Sequence, residues 1–156
     1  MKKIFLFIAT ATLAFSMNSC SSDDNSDSNG GNTTVGGTIT LKIDGVSKIF
    51  NNVIVNEITG TEDGAEYTLL NVTATIGTSA TEVITFTTEK GEVGADVVWD
   101  FHYTQGTTRY YSNPMTIVIQ TNNDTKKLKG SFNGTWTPSN GGTDLTVTEG
   151  SFDIQY

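Results

Sequence analysis

The stretch Leu128-Lys129-Gly130-Ser131-Phe132-Asn133-Gly134-Thr135-Trp136-Thr137 carries a large apolar residue at every fourth position, with a glycine halfway between. Side chains of an extended strand alternate between its two faces, so the three large residues share one face with the two glycines. The glycines leave room for large side chains of neighbouring strands to pack closely. This stretch therefore predicts a strand with one buried, apolar face, and places Trp136 in the core.

The same alternation recurs along the chain, and it is interrupted by turn residues such as Asp44-Gly45, Asp63-Gly64 and Asn140-Gly141-Gly142. Asp-Gly favours a two-residue hairpin, because a type I′ turn needs positive φ at both positions. One segment places Val97, Trp99, Phe101 and Tyr103 on one face. The predicted strands are Thr38–Ile43, Val46–Phe50, Val53–Ile58, Glu66–Ile76, Val83–Thr88, Val97–Thr104, a short edge strand Arg109–Tyr111 stopped by Asn113-Pro114, Met115–Thr121, Leu128–Thr137 and Leu145–Tyr156.

These segments predict an all-β domain of about nine strands, because they follow one another at intervals of roughly 8–12 residues and no 3.6-residue period is present beyond the leader. Short connections favour antiparallel neighbours in a meander. Two architectures fit this pattern. One is a β-sandwich, and the other is a flattened, lipocalin-like barrel.

The first twenty residues differ from the rest of the chain. Met1-Lys2-Lys3 is basic, Ile4 to Phe15 is almost entirely apolar, and Ser19 precedes Cys20, which is the chain's single cysteine. Twelve helical residues span roughly 18 Å, which is too short for a hydrocarbon core of about 30 Å. The pattern is typical of a signal peptide. A lone cysteine cannot form an internal disulfide in an exported protein, so it indicates another use.

In these residues the chain resembles the bacterial lipoproteins, and the acidic run Ser21-Ser22-Asp23-Asp24 resembles the surface-export signal of those of the Bacteroidetes type. The resemblance implies that residues 1–19 are removed and that Cys20 carries fatty acyl chains such as palmitate. Several chains on one residue hold a protein far more firmly than a single chain does. It also implies an outer-membrane protein, held in the membrane by the lipid on Cys20 and facing the cell exterior.

Three regions follow from this organisation: residues 1–19 as signal peptide, 20–37 as a lipidated flexible tether, and 38–156 as a single β domain. The segment Asp23 to Gly37 is polar and Gly-rich, with Val35 as its one clearly apolar residue, which is typical of a linker. Near the C-terminus, Lys129-Gly130-Ser131-Phe132 and Thr148-Glu149-Gly150-Ser151-Phe152-Asp153 resemble a family of β-rich Bacteroidetes-type lipoproteins with a domain of unknown function. That resemblance implies a fold and a location but no catalytic residue.

The composition is acidic, with a formal net charge of −8. Removal of residues 1–19 takes away Lys2 and Lys3 but no acidic residue, so the charge becomes −10. Such a charge disfavours nucleic acid and anionic lipid head groups as partners.

Residues that could carry chemistry are few. His102 is the single histidine, and Asp100 lies two positions away on the same strand face, as an acid–base pair or half of a metal site would require. Asp96 with Asp100 or Asp153 could supply the two carboxylates of a glycoside hydrolase. No nucleophile motif or phosphate-binding glycine loop accompanies them. The sequence therefore predicts no catalytic residue, no metal site and no cofactor, and His102 is interpreted as a histidine on a solvated strand face.

The aromatic residues Tyr103, Tyr110 and Tyr111 are the candidate ligand-binding residues, because flat rings with polar tips can stack on a glycan or another ligand. We expect a non-catalytic structural or protein-partner module, with a glycan- or small-ligand-binding module as the alternative and a hydrolase as the third. An aromatic-lined concave pocket would favour ligand binding, whereas a filled interior would favour the partner role.

The anchor hypothesis predicts that Cys20→Ser yields unprocessed precursor, or protein lost from the outer-membrane fraction, because the acylated sulfur is removed. Membrane fractionation combined with fatty-acid labelling measures this. A wild-type mature chain that incorporates no labelled fatty acid would contradict the hypothesis.

Overall fold

The computed structural model describes residues 33–156, and the structural statements below concern that range. It contains ten strands: β1 Thr33–Ile43, β2 Val46–Phe50, β3 Asn52–Glu62, β4 Ala65–Ile76, β5 Ser79–Glu89, β6 Gly94–Ala95, β7 Val98–Gln105, β8 Thr108–Asn123, β9 Lys127–Pro138 and β10 Leu145–Gln155. Within this range there is no helix that could span a membrane. The predicted signal peptide, Cys20 and residues 20–32 of the predicted tether lie outside the described residues.

Eight of the strands form a closed antiparallel barrel in the order β1-β3-β4-β5-β7-β8-β9-β10, and β10 pairs back onto β1. From β3 to β10 the barrel strands follow one another in chain order, because each short turn returns the chain alongside the strand just made. Closure joins Gly36 of β1 to Gln155 of β10, and the ladder continues to Ile43 opposite Val147. The predicted all-β meander and the barrel alternative are thus confirmed.

The two remaining strands attach to this wall. β2 pairs with the second half of β1, and β3 pairs with the start of β1 at Val35 opposite Val53. β6 pairs with Val118 and Ile119 of β8. Both strands extend the wall locally while the eight-strand closure remains intact.

The barrel interior is the hydrophobic core, and one face of almost every strand contributes to it. Trp136, Leu128 and Phe132 of β9 are 0–1% exposed, as the alternation predicted. A Cβ on Gly130 would lie 2.5 Å from the Val118 carbonyl oxygen and would also strike the Phe152 ring. Glycine is therefore required there, because β8 and Phe152 occupy the space that a side chain would need.

Two expectations about strand boundaries were wrong. β1 starts at Thr33, five residues before the predicted domain boundary, because its first residues pair with β3 before the rest pairs with β10. Arg109–Tyr111 is not a separate edge strand, since β8 runs from Thr108 to Asn123 between β7 and β9. The Asn113-Pro114 pair forms a bulge between Ser112 and Met115, and the strand continues beyond it.

Trp99 is 46% exposed, so the prediction that it shares one face with the buried Phe101 and Tyr103 was wrong. The ladder between β5 and β7 shifts register so that Thr85 pairs with His102 and Thr87 pairs with Trp99. The extra residue falls at Asp100, whose φ is 54°. This β-bulge reverses the alternation, and Trp99 therefore points outward while Phe101 remains buried.

The barrel has two rims, and at each rim a Lys–Glu ion pair joins separate segments of the chain. The first rim contains the start of β1, the turns after β3, β5 and β8, and the C-terminus. On this side Glu57 accepts hydrogen bonds from Lys126 (2.7 Å) and Lys90 (3.4 Å). The second rim contains the turns after β1, β4, β7 and β9. Here Glu82 accepts a bond of 2.5 Å from Lys48 of β2. Each carboxylate thus ties together segments distant in sequence.

Replacing Trp136 with alanine should lower the free energy of unfolding by about 3–5 kcal/mol, because it empties the centre of the aromatic core. Denaturant melts measure this, and Trp99→Ala is the matched control. Trp99 is exposed, so its loss should change stability by about 0.5 kcal/mol or less. Equal midpoints for the two variants would contradict the burial of Trp136.

Candidate functional site

The interior of the barrel is filled by interlocking aromatic rings. Trp136 stacks on Tyr103 at 4.9 Å between ring centroids and on Phe101 at 5.9 Å. Further contacts connect the rings into one cluster formed by Phe50, Phe86, Phe101, Tyr103, Phe132, Trp136 and Phe152. Because these side chains occupy the space that a ligand-binding barrel leaves open, the candidate functional surfaces lie on the outer wall.

The three tyrosines predicted as ligand-binding residues do not share a surface. Tyr103 is 0% exposed, and its cross-strand neighbour Tyr110 packs against it inside the barrel at 5.6 Å. Tyr111, the next residue along β8, points outward and is 47% exposed. Strand alternation separates the two adjacent tyrosines, so Tyr111 is the member of the trio available on the outer wall.

Tyr103 has a structural partner at its polar end. Its hydroxyl donates to Glu82 at 2.5 Å, and Lys48 donates to the same carboxylate oxygen. Burial, followed by the nearby Glu82 carboxylate, raises the pKa of Tyr103 above its ordinary value. Burial also acts to raise the pKa of Glu82, but the bonds from Lys48 and Tyr103 outweigh it and lower that pKa. The tyrosine therefore stays protonated and holds the second rim to the core.

The predicted pair Asp100 and His102 lies on the outer wall. The His102 Nδ1 atom is 2.8 Å from the Asp100 carbonyl oxygen and 3.7 Å from its carboxylate. The Nε2 atom contacts the Thr85 hydroxyl, and Arg109 Nη2 lies 3.0 Å from Nδ1. Nδ1 can donate to the Asp100 carbonyl or accept from Arg109 but not both, so the tautomer decides which of these two contacts is a hydrogen bond. The ring therefore connects β5, β7 and β8.

Burial, together with the neighbouring Arg109 charge, lowers the pKa of His102 below 6.5, although the Asp100 carbonyl acts in the opposite direction. The imidazole is therefore neutral at pH 7. No group of three or more metal-ligating side chains occurs among residues 33–156. Asp153, the other carboxylate considered with Asp96, lies 3.4 Å from Lys127.

The outer wall exposes three residues that we call the aromatic surface: Trp99, next to the bulge at Asp100, and the contacting pair Arg109 and Tyr111. The guanidinium of Arg109 lies 5.3 Å from the centre of the Tyr111 ring, a cation–π contact. It also lies 3.7 Å from the Asp100 carboxylate. Sequence alternation missed Trp99, and the one local signal for its outward position is Asp100, a residue type that tolerates positive φ.

Beside this surface the wall has an opening, which we call the wall window. The ladder between β7 and β8 joins only residues 102–105 to 108–111. Beyond this ladder β7 and β8 separate. The segment before β7 pairs with β8 at Ala95 and with β5 at Val98, so it crosses the gap between those two strands. The resulting cleft has a volume of about 130 Å³ and is lined by Asp96, Val98, Asp100, Phe101, Ser112, Met115 and Ile117.

Two buried polar residues fix the segment that closes the window. Asn122 of β8 is 5% exposed, and its amide donates to the carbonyls of Glu89 (2.7 Å) and Glu92 (3.1 Å). Thr88 is 0% exposed, and its hydroxyl donates to the Val97 carbonyl at 2.8 Å. These bonds satisfy backbone groups that leave the sheet ladder, so Asp96 is held on an anchored crossing.

No family model, curated protein or solved structure matches the chain.

The lowered pKa of His102 predicts a pH effect on stability. As pH falls through about 6.5, the unfolded chain binds a proton that folded His102 resists, so stability declines. His102→Asn should reduce the decline between about pH 7.5 and 5.5, since Asn does not titrate. Denaturant melts at several pH values measure the slope. Glu57 and Glu82 have pKa values below 4.5, so their titration changes stability at a lower pH than this range. Identical slopes for variant and wild type would contradict the assignment.

Proposed function

We propose that this chain is a lipid-anchored cell-envelope protein whose barrel is a non-catalytic module for binding a protein partner. The observation that carries the proposal is the aromatic surface: two exposed aromatic rings and an arginine on the outer wall of a barrel whose interior is filled. Trp, Tyr and Arg are the residues that most often dominate the binding energy of protein interfaces.

Neighbouring side chains of the wall contact two of these three side chains, Arg109 and Tyr111. Arg109 is placed by Tyr111, His102 and Asp100, and His102 is in turn held by Thr85 of β5. A surface whose side chains are already ordered loses less conformational entropy on binding, so more of its contact energy appears as affinity. This arrangement supports a role for His102 in positioning Arg109.

The anchor and the outer-membrane location belong to the same proposal. They are supported by the apolar leader, the single cysteine at position 20 and the acidic residues after it. The acyl chains on Cys20 would hold the barrel at the membrane, with the aromatic surface open to the cell exterior. The alternative function, glycan or small-ligand binding, depends on a different feature, the wall window.

Site-specific photo-crosslinking in cells tests the partner role. A benzophenone side chain replacing Tyr111 should give one adduct of discrete mass, which mass spectrometry can identify. The matched control replaces Ile49, which is 56% exposed on β2 at the opposite wall. We expect that Trp99→Ala or Arg109→Ala weakens the adduct by about tenfold or more, because interface anchors commonly contribute about 2 kcal/mol.

The absence of any adduct at Tyr111, or equal adducts at positions 111 and 49, would contradict the partner role. Display is tested separately by adding protease to intact cells, which should cleave a chain that faces the exterior. Full protection until the outer membrane is opened would place the barrel on the periplasmic side.

A further inference from the structure

Two irregularities face each other across the wall window. On β7 the bulge at Asp100 turns both Trp99 and Asp100 outward. On β8 the register shifts between Ser112 and Met115, and the four residues from Tyr111 to Pro114 are all exposed. Bulges concentrate next to binding and active sites, where they redirect side chains. We propose that the wall window is a binding site for one neutral sugar residue of a glycan.

The size of the window limits the ligand. A volume of about 130 Å³ is well below the roughly 300–1,000 Å³ of pockets that enclose drug-sized ligands. The opening is closed at one end by the crossing at Asp96 and at the other by the β7–β8 ladder. A single small ring can therefore enter, and the rest of a longer chain must lie along the outer wall.

The surface that a ligand can reach in the window is mostly polar, and apolar side chains lie behind it. Val98, Met115 and Ile117 are partly buried and pack against the core, and Phe101 is 4% exposed. Asp96, Asp100 and Ser112 are exposed at the edge of the opening and offer hydrogen-bond acceptors. A pyranose matches this surface, because its hydroxyls can donate to these acceptors. Carboxylate acceptors form hydrogen bonds that are stronger than neutral ones.

Each side of the window has an exposed aromatic residue next to it in sequence. Trp99 precedes Asp100 on β7, and Tyr111 precedes Ser112 on β8. These rings offer flat apolar faces on which neighbouring sugar residues can stack, while their polar tips remain in water. The side chains that flank the window therefore extend the site beyond the single residue that enters it.

The charge at the window selects among glycans. Asp96 makes no ion pair with another described residue, and Asp100 lies 3.7 Å from Arg109. The whole chain has a formal net charge of −8. A uronic acid or a phosphorylated sugar would place like charge beside Asp96, which is unfavourable. The site therefore fits neutral sugars, and this inference does not depend on the proposed protein partner.

The test uses the full chain in detergent and a panel of four neutral hexasaccharides: maltohexaose, cellohexaose, mannohexaose and xylohexaose. Hexagalacturonic acid is the acidic comparison. Isothermal titration calorimetry measures affinity, and tryptophan emission reports on Trp99. We expect at least one neutral hexasaccharide to bind, to change the emission, and to bind at least about tenfold more tightly than the acidic one.

Asp96→Asn should weaken that binding by about tenfold or more, because it replaces a charged acceptor by a neutral amide. Asp144→Asn, at the exposed turn between β9 and β10, makes the same charge change at a distance and should bind as the wild type does. Met115→Trp should fill the window and abolish binding. Asp96→Asn changes an exposed residue, so it keeps the test valid even if Met115→Trp does not fold.

The proposal is overturned if none of the four neutral hexasaccharides binds, or if the acidic hexasaccharide binds as tightly as they do. It is also overturned if Asp96→Asn and Asp144→Asn have the same affinity. An adduct at Tyr111 in the crosslinking experiment, with no sugar binding here, would leave the protein-partner proposal standing and remove this one.

Discussion

The pairing of β1 with β10 is the constraint on which the rest of the structure depends. These are the first and last strands of the described chain, and their ladder runs from Gly36–Gln155 to Ile43–Val147. Without it, the sheet would have two long unpaired edges, and the apolar face of each strand would have no opposite wall. Closure turns one curved sheet into a barrel whose inner face is covered on all sides. It is also the most non-local contact of the fold, so we expect it to form late in folding.

Gly37 shows how closely that pairing is fitted. Its φ is 135°, and a Cβ there would lie 2.7 Å from the Ile154 Cα of β10. Only glycine tolerates both the positive φ and the approach of the partner backbone. Gly37 therefore lets the barrel close, although it lies in a polar, Gly-rich segment whose composition is typical of a linker. Composition alone could not distinguish the two roles, because the distinguishing contact comes from residues more than a hundred positions away.

The sequence predicted what depends on local alternation and turn chemistry. The type I′ turn at Asp44-Gly45 has φ values of 48° and 81°, and Trp136 lies in the core as its period indicated. Closure into a barrel could not be predicted, because a sandwich produces the same alternation. The bulges were not predicted either. The extra residue at Asp100 reverses which side chains of β7 before it point inward and which point outward. The aromatic surface and the wall window both arise at such bulges. Period-based reasoning is therefore least informative where this wall has its distinctive features.

The direction in which β1 enters the barrel has a consequence for how the molecule would stand on a membrane. Thr33 lies at the first rim, and twelve residues separate it from Cys20. If Cys20 carries the acyl chains, this length limits the barrel to within about 45 Å of the bilayer surface. The turns at that rim include Asp63, Glu92 and Asp124. Lys90 and Lys126 lie at the same rim and pair with Glu57, so anionic head groups would meet both signs of charge there. The tether would then keep the first rim close to the bilayer and leave the second rim farther out.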